Sequence, residues 1–236
     1  MFLHLRYWAA IAIKPSRRLI VLFLLAETGS VLLDALRLQP WEYMYLFIFL
    51  FSAIYINQPQ KYYRALLLVL SSTYIFTGIH KFSGAFLNNV WDSFLLYRLF
   101  GFTKPHISPV LHYSGLLLGS MEFACGLALL LFTNKRLPAC LLISMHAVIL
   151  IVLGIMLKGH NYSVFPWNVL MMFLLIYIYK EQTALRSGFS GYLAPPYFLL
   201  FVFWFALPLA NVFGYWAHYL SSGMYTGKTP QGLCMC

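Results

Sequence analysis

Charge is what this 236-residue sequence has least of: charged residues make up 9% of it, and six residues in all are acidic. Soluble domains carry roughly 25% charged residues, so an ordinary water-facing surface is excluded. Cysteine is as sparse, with four in the chain, and a disulfide framework is excluded with it. Cys125 and Cys140 fall inside apolar runs, where a thiol packs as a small apolar group. Cys234 and Cys236 form a terminal C-x-C, which by itself cannot close a tetrahedral metal site. The seven histidines show neither H-E-x-x-H nor H-x-x-x-H spacing, so no metal centre is expected. There is no tandem repeat, no low-complexity tract and no inverted pair of interrupted helices of the kind transporters carry.

What the sequence does have is apolar bulk: 61% hydrophobic and 19% aromatic residues. A hydrocarbon layer takes about 20 helical residues to cross. Seven runs approach that length: 19–38, 41–57, 63–80, 107–132, 137–157, 163–179 and 195–212. None alternates as a barrel strand must. The expectation is an all-α polytopic membrane protein, with about seven transmembrane helices in one bundle. Residues 1–18, mixing aromatic and basic side chains, suit an interfacial segment on an anionic leaflet; 19–212 form the helical membrane domain and 213–236 a tail on the outer face. No cleavable signal peptide is expected, because the first apolar run is already span length.

The formal net charge of +10 is scattered between spans and forms no single stripe, so no nucleic-acid partner is expected. It reads better as topology. With the N-terminus in the cytoplasm, Arg6, Lys14, Arg17, Arg18, Lys61, Arg64, Lys135, Arg136, Lys180 and Arg186 fall inside, against Arg37, Arg98, Lys104, Lys158 and Lys228 outside. That bias predicts an N-in, C-out protein, with Lys81 at the outer end of the third span. Residues 82–101 keep a helical stripe of Phe82, Phe86, Val90, Phe94 and Tyr97, while Asn88, Asn89, Asp92 and Arg98 lie off it. An interfacial helix is expected there, as a plain anchor or as a roof over a cavity.

Charged side chains inside a bilayer are costly, so their helical phase is informative. His112, Gly115, Gly119, Glu122 and Gly126 recur at spacings of three and four residues and share one face of the fourth span. Gly115 and Gly119 also make the GxxxG pair that admits a second helix closely. Glu27, Ser30, Asp34 and Arg37 repeat the pattern on the first span, and Ser71, Tyr74, Thr77 and Lys81 on the third. The three stripes predict an internal polar cleft. The plainer alternatives are a local Asp34–Arg37 pair and a hydrogen-bonded core Glu122. Glu122 and His146 each lie ~15 Å from the cytoplasmic ends of their helices, which would let them touch and pass a proton. Lys81, His80, His112 and His160 belong at the outer end. A lysine desolvated there can act as a base; one snorkelling to the surface cannot.

The stretch "FTGIHKFSGAFLNNVW" resembles the G-x-K-K/R-aliphatic…W signature of the membrane domain shared by vitamin K-dependent gamma-carboxylases and the HTTM (horizontally transferred transmembrane) proteins. "LHYSGLLLGSMEFACGLALLLFTNKRLPACLLISMH" is similar to the next two helices of that domain and to the DoxX/MauE group of small redox-associated membrane proteins. The resemblance covers roughly residues 63–180. It implies that Lys81 acts as a base towards a reduced quinone, at a site open to the outer face. Two features depart from the carboxylase pattern: His80 stands beside the lysine, and nothing resembles the lumenal domain that presents glutamate-containing substrates. The resemblance therefore implies a quinone- or redox-associated membrane protein of the bacterial inner membrane, with other membrane or redox proteins as partners. Its candidate catalytic residues are Lys81, His80, His112, Glu122 and His146. The alternative is a non-catalytic subunit or assembly factor of a larger membrane complex.

Overall fold

The computed structural model describes residues 16–34, 40–103, 106–157, 164–181, 195–216 and 219–221. Each of the seven apolar runs is mainly helical where it is described, and the described residues contain no strand. The helices are α1 (Arg17–Leu33), α2 (Pro40–Ile54), α3 (Pro59–Lys81), α4 (Phe86–Leu99), α5 (Pro109–Tyr113), α6 (Leu116–Leu131), α7 (Arg136–Leu157), α8 (Val164–Lys180), α9 (Pro195–Phe201) and α10 (Leu207–Val212). A segment with π-helical hydrogen bonding, Val202–Ala206, joins α9 to α10, and a 3₁₀ turn covers Tyr219–Ser221. The 1–18 segment, except Ser16–Arg18, lies outside the described residues, as do Arg37, His160, Cys234 and Cys236.

Among the described residues, two helical stretches are long and apolar enough to cross a membrane, Pro109–Leu131 and Arg136–Gly154. The bent pair α3–α4 makes a third if counted as one span. Pro40–Ile54, Phe165–Lys180 and Tyr197–Asn211 are apolar but shorter. Many large apolar side chains point outward, among them Leu25, Leu33, Leu117, Leu137, Ile151 and Phe173. A surface this apolar is far beyond what a monomeric soluble protein exposes, and it suits hydrocarbon.

Glycine decides the central packing. The α3 and α6 helices cross with Gly78, Gly119 and Gly126 at the contact. A Cβ at Gly78 would sit 2.7 Å from the Gly119 carbonyl oxygen, and one at Gly126 would sit 2.8 Å from the backbone nitrogen of Ile75. The helices are therefore in backbone contact, closer than any side chain allows. Beside this pair, α7 packs along α8, with Leu142 and Leu175 fully buried. The α9–α10 segment closes the far side of α3: Trp204 is buried, stacks on Tyr43 with ring centroids 5.1 Å apart, and accepts the Ser72 hydroxyl at its carbonyl. The α1 helix lies against α2 through Phe23 and Phe49, 4.5 Å between centroids.

The chain leaves α3 by bending 91° into α4. Ser83 makes the corner. Its hydroxyl donates to the His80 carbonyl at the end of α3 (3.0 Å) and accepts from the Phe86 amide at the start of α4 (3.3 Å), so one side chain serves both helix ends. The α4 helix then runs with π-type hydrogen bonding over all 14 of its residues. The stripe expected from ordinary helical spacing is divided as a result: Phe86, Val90 and Phe94 face one cavity, while Phe82 and Tyr97 are exposed. Ser108 caps α5, its hydroxyl accepting from the Leu111 amide at 3.3 Å, with Pro109 in the first turn.

Candidate functional site

A cavity of about 460 Å³ lies between α3, α4, α6, α7 and α8. Its walls are mostly apolar, with Met121, Leu141, Met145, Val148, Trp167 and Met171 among them. Leu141 and Val148 are themselves exposed on the outside of the bundle, so the cavity's apolar lining continues onto the lipid-facing surface. Thr73 and Thr77 also line it, but their hydroxyls donate to carbonyls of their own helix, Val69 at 2.9 Å and Tyr74 at 3.2 Å. Polarity in the cavity is therefore concentrated in two clusters.

The first cluster is Lys81 with Glu122. The ammonium and carboxylate form an ion pair, their side chains 9% and 6% exposed. The close α3–α6 approach makes it: a Cβ at Gly119, one turn before Glu122, would lie 3.1 Å from the Lys81 Cβ. The Lys81 Nζ also stands 5.9 Å from the centroid of the Phe86 ring, which holds the cation by its π face. Two buried charges that compensate each other are the form in which ions persist in a low-dielectric interior.

The second cluster is Tyr74, His146 and Asn168. His146 Nδ1 is 2.7 Å from Asn168 Oδ1 and its Nε2 is 2.8 Å from the Tyr74 hydroxyl. With the amide oxygen as acceptor, Nδ1 carries the hydrogen and Nε2 accepts from Tyr74. The chain of hydrogen bonds thus runs from α3 through α7 to α8 and fixes the tautomer of the imidazole. Glu122 lies near enough to act electrostatically on both Tyr74 and His146.

Of the five residues expected to share a site, Lys81, Glu122 and His146 line this cavity, and two do not. His80 is buried, but consecutive helical residues point about 100° apart. Its Nε2 meets the Ser221 carbonyl at 3.1 Å instead. His112 pairs with Asp92, Nδ1 to Oδ2 at 2.6 Å, beside a different cavity. Trp91 packs against the α5–α6 junction nearby. Its ring covers Gly115, where a Cβ would lie 2.6 Å from its Cγ, and its indole donates to the Leu111 carbonyl at 2.8 Å.

Three finer expectations are corrected with these. Glu122 pairs with Lys81 and not with His146, because the glycine contact brings α6 to α3 more closely than to α7. Lys81 is desolvated, and it is the donor of an ion pair there. The described residues of the first-span stripe, Glu27, Ser30 and Asp34, are not among those lining the cavity, since α1 packs on α2. Cys125 is buried as expected, but Cys140 is exposed on α7. Asn168 escaped the sequence reading, although a lone amide in "VFPWNVLMMFLLIYIYK" is the signal a span gives when a polar residue is needed inside.

Among the described residues no three His, Cys, Asp or Glu side chains group as a metal site requires. No family model matches the chain, and no curated protein or solved structure matches it either.

Proposed function

We propose that the chain is a membrane protein of the DoxX/HTTM type, crossing the bilayer with its seven apolar helices, and that its central cavity takes a lipid-soluble molecule with a carbonyl head group, a quinone being the fitting class. The observation that carries this reading is the cavity itself: about 460 Å³ with apolar walls that continue to the lipid face and two polar clusters on one side. Small-molecule pockets have this size and this balance of apolar wall and few polar anchors.

Each polar group has a definite task in this reading. An ammonium has three hydrogens, and Lys81 gives one to Glu122, leaving others to donate to a ligand carbonyl oxygen. While paired, Lys81 holds a proton and cannot accept one, so its part is donor rather than the base that the resemblance implied. Glu122 keeps that ammonium in place. The Tyr74 oxygen, whose hydrogen is directed to His146, keeps a lone pair for a ligand hydroxyl. A bound quinone would supply two-electron redox chemistry, with the electrons coming from a partner protein in the membrane.

The test is lipid extraction of the purified protein followed by mass spectrometry. Wild type should carry quinone, and Met145→Trp, which fills the cavity from α7, should carry little. Quinone absent from wild type, or equally abundant in Met145→Trp, would refute the proposal.

A further inference from the structure

The α4 helix has two lined faces. One closes the central cavity; the other borders a separate cavity of about 830 Å³, with Asn88, Asp92, Tyr97, Arg98, His112 and Tyr113 around it. This second cavity has charge of both signs and belongs to nothing assigned above. The Asp92–His112 pair is on its wall. A carboxylate only accepts, so the 2.6 Å contact places a hydrogen on His112 Nδ1, and a neutral imidazole then keeps its lone pair on Nε2. Nε2 has no hydrogen-bond partner among the described residues. Asp92 Oδ1 is shielded from water and accepts no hydrogen bond, so His112 is the single donor answering that carboxylate. In that form the pair carries the carboxylate's charge and presents an acceptor at His112. Arg98, an exposed guanidinium with no ion pair to an acid among the described residues, lines the same cavity. An acceptor backed by negative charge suits an ammonium, and a guanidinium suits an oxyanion.

We propose that this cavity binds a zwitterion in which a primary ammonium and an oxyanion lie close together, the ammonium donating to His112 Nε2 and the oxyanion pairing with Arg98. That chemistry comes from two sources, a free amino acid or the head group of phosphatidylethanolamine. His112 is the contact residue, and Asp92 is a positioning residue that fixes its tautomer.

The experiment is calorimetric titration of the full chain in nanodiscs of phosphatidylcholine alone, whose trimethylated head group has no N–H to donate. L-serine should bind, and glycine betaine, with the same charges but no N–H, should bind about tenfold more weakly, the loss of one hydrogen bond to a charged group. Arg98→Ala, at an exposed position that folding does not need, should weaken serine by about tenfold, and Asp92→Asn by a similar factor. If serine gives no heat but phosphatidylethanolamine is retained by wild type and lost from Arg98→Ala in native mass spectrometry, the lipid head group is the source. Failure of both ligands, betaine binding as tightly as serine, or affinities unchanged in Arg98→Ala and Asp92→Asn would overturn the proposal.

Discussion

Removing one partner of the Lys81–Glu122 pair should cost more stability than removing both. In Lys81→Met, Glu122 is left as a charge in a site whose side chain was 6% exposed. At an effective dielectric of 20, two unit charges in contact attract by about 4 kcal/mol, and breaking a buried pair costs ~3–5 kcal/mol because the survivor is uncompensated. In Lys81→Met with Glu122→Met neither charge remains, and such replacements are neutral or stabilising by ~1–4 kcal/mol. The assay is reversible unfolding of the purified protein in mixed micelles, with both single variants and the double variant completing a thermodynamic cycle. A coupling free energy of at least ~3 kcal/mol is expected. If Lys81→Met alone loses less than ~1 kcal/mol, the value of an exposed pair, the two groups are not buried together and the polar cluster of the cavity is not as described.

Other perturbations probe other contacts. Gly78→Ala puts a methyl 2.7 Å from backbone atoms of α6, so the helices must part, at ~1–3 kcal/mol; the loss should appear in the same unfolding assay, whereas Gly29→Ala, with nothing near its Cβ, should leave stability unchanged or raise it. Asn168→Leu leaves the His146 Nδ1 hydrogen without its acceptor, and should cost ~1–3 kcal/mol, with the hydrogen-bonded Tyr74 and His146 resonances shifting together in NMR of labelled protein. Lys135, in the turn between α6 and α7, is pushed down to about 8 by burial. Its folded state therefore loses the proton before the unfolded state does, and stability should rise as pH climbs from about 8 to 10.5, by up to ~3 kcal/mol. A pH series of melting curves checks this against Lys135→Met, which should lack that rise.

The sequence reading found the helices and their polar faces because both depend on short-range periodicity. Ser71–Lys81 and the Gly119–Gly126 part of the second stripe stand together in the structure because glycine spacing and residue phase are local properties of a helix. Partnership was harder. Equal depth placed Glu122 beside His146, but depth fixes only height along the membrane normal, and the azimuth was set by which neighbour the glycines admit. The role of α4 was legible in outline, since Phe86, Val90 and Phe94 do face the cavity. The division between its two faces was not, because it depends on a π-type winding whose period differs from the one used to find the stripe. Nor can any local pattern reveal that Trp91 lies over Gly115 or that His112 pairs with Asp92.

The glycine contact between α3 and α6 also bears on how the chain is made. These helices are separated in sequence by α4 and α5, so their interface forms only after α6 has left the ribosome. Until then Lys81 is at the end of one apolar helix and Glu122 in the middle of another, each without the other's charge. A carboxylate at a helix centre raises the cost of insertion, and the leucines of "LLLGSMEFACGLALLL" are what offset it. Docking α6 onto α3 then brings the two charges together, so the step that completes the helix pair is also the step that creates the polar end of the cavity. A variant that forms both helices but fails at this docking step would keep its apolar segments and lack the Lys81–Glu122 pair of the cavity.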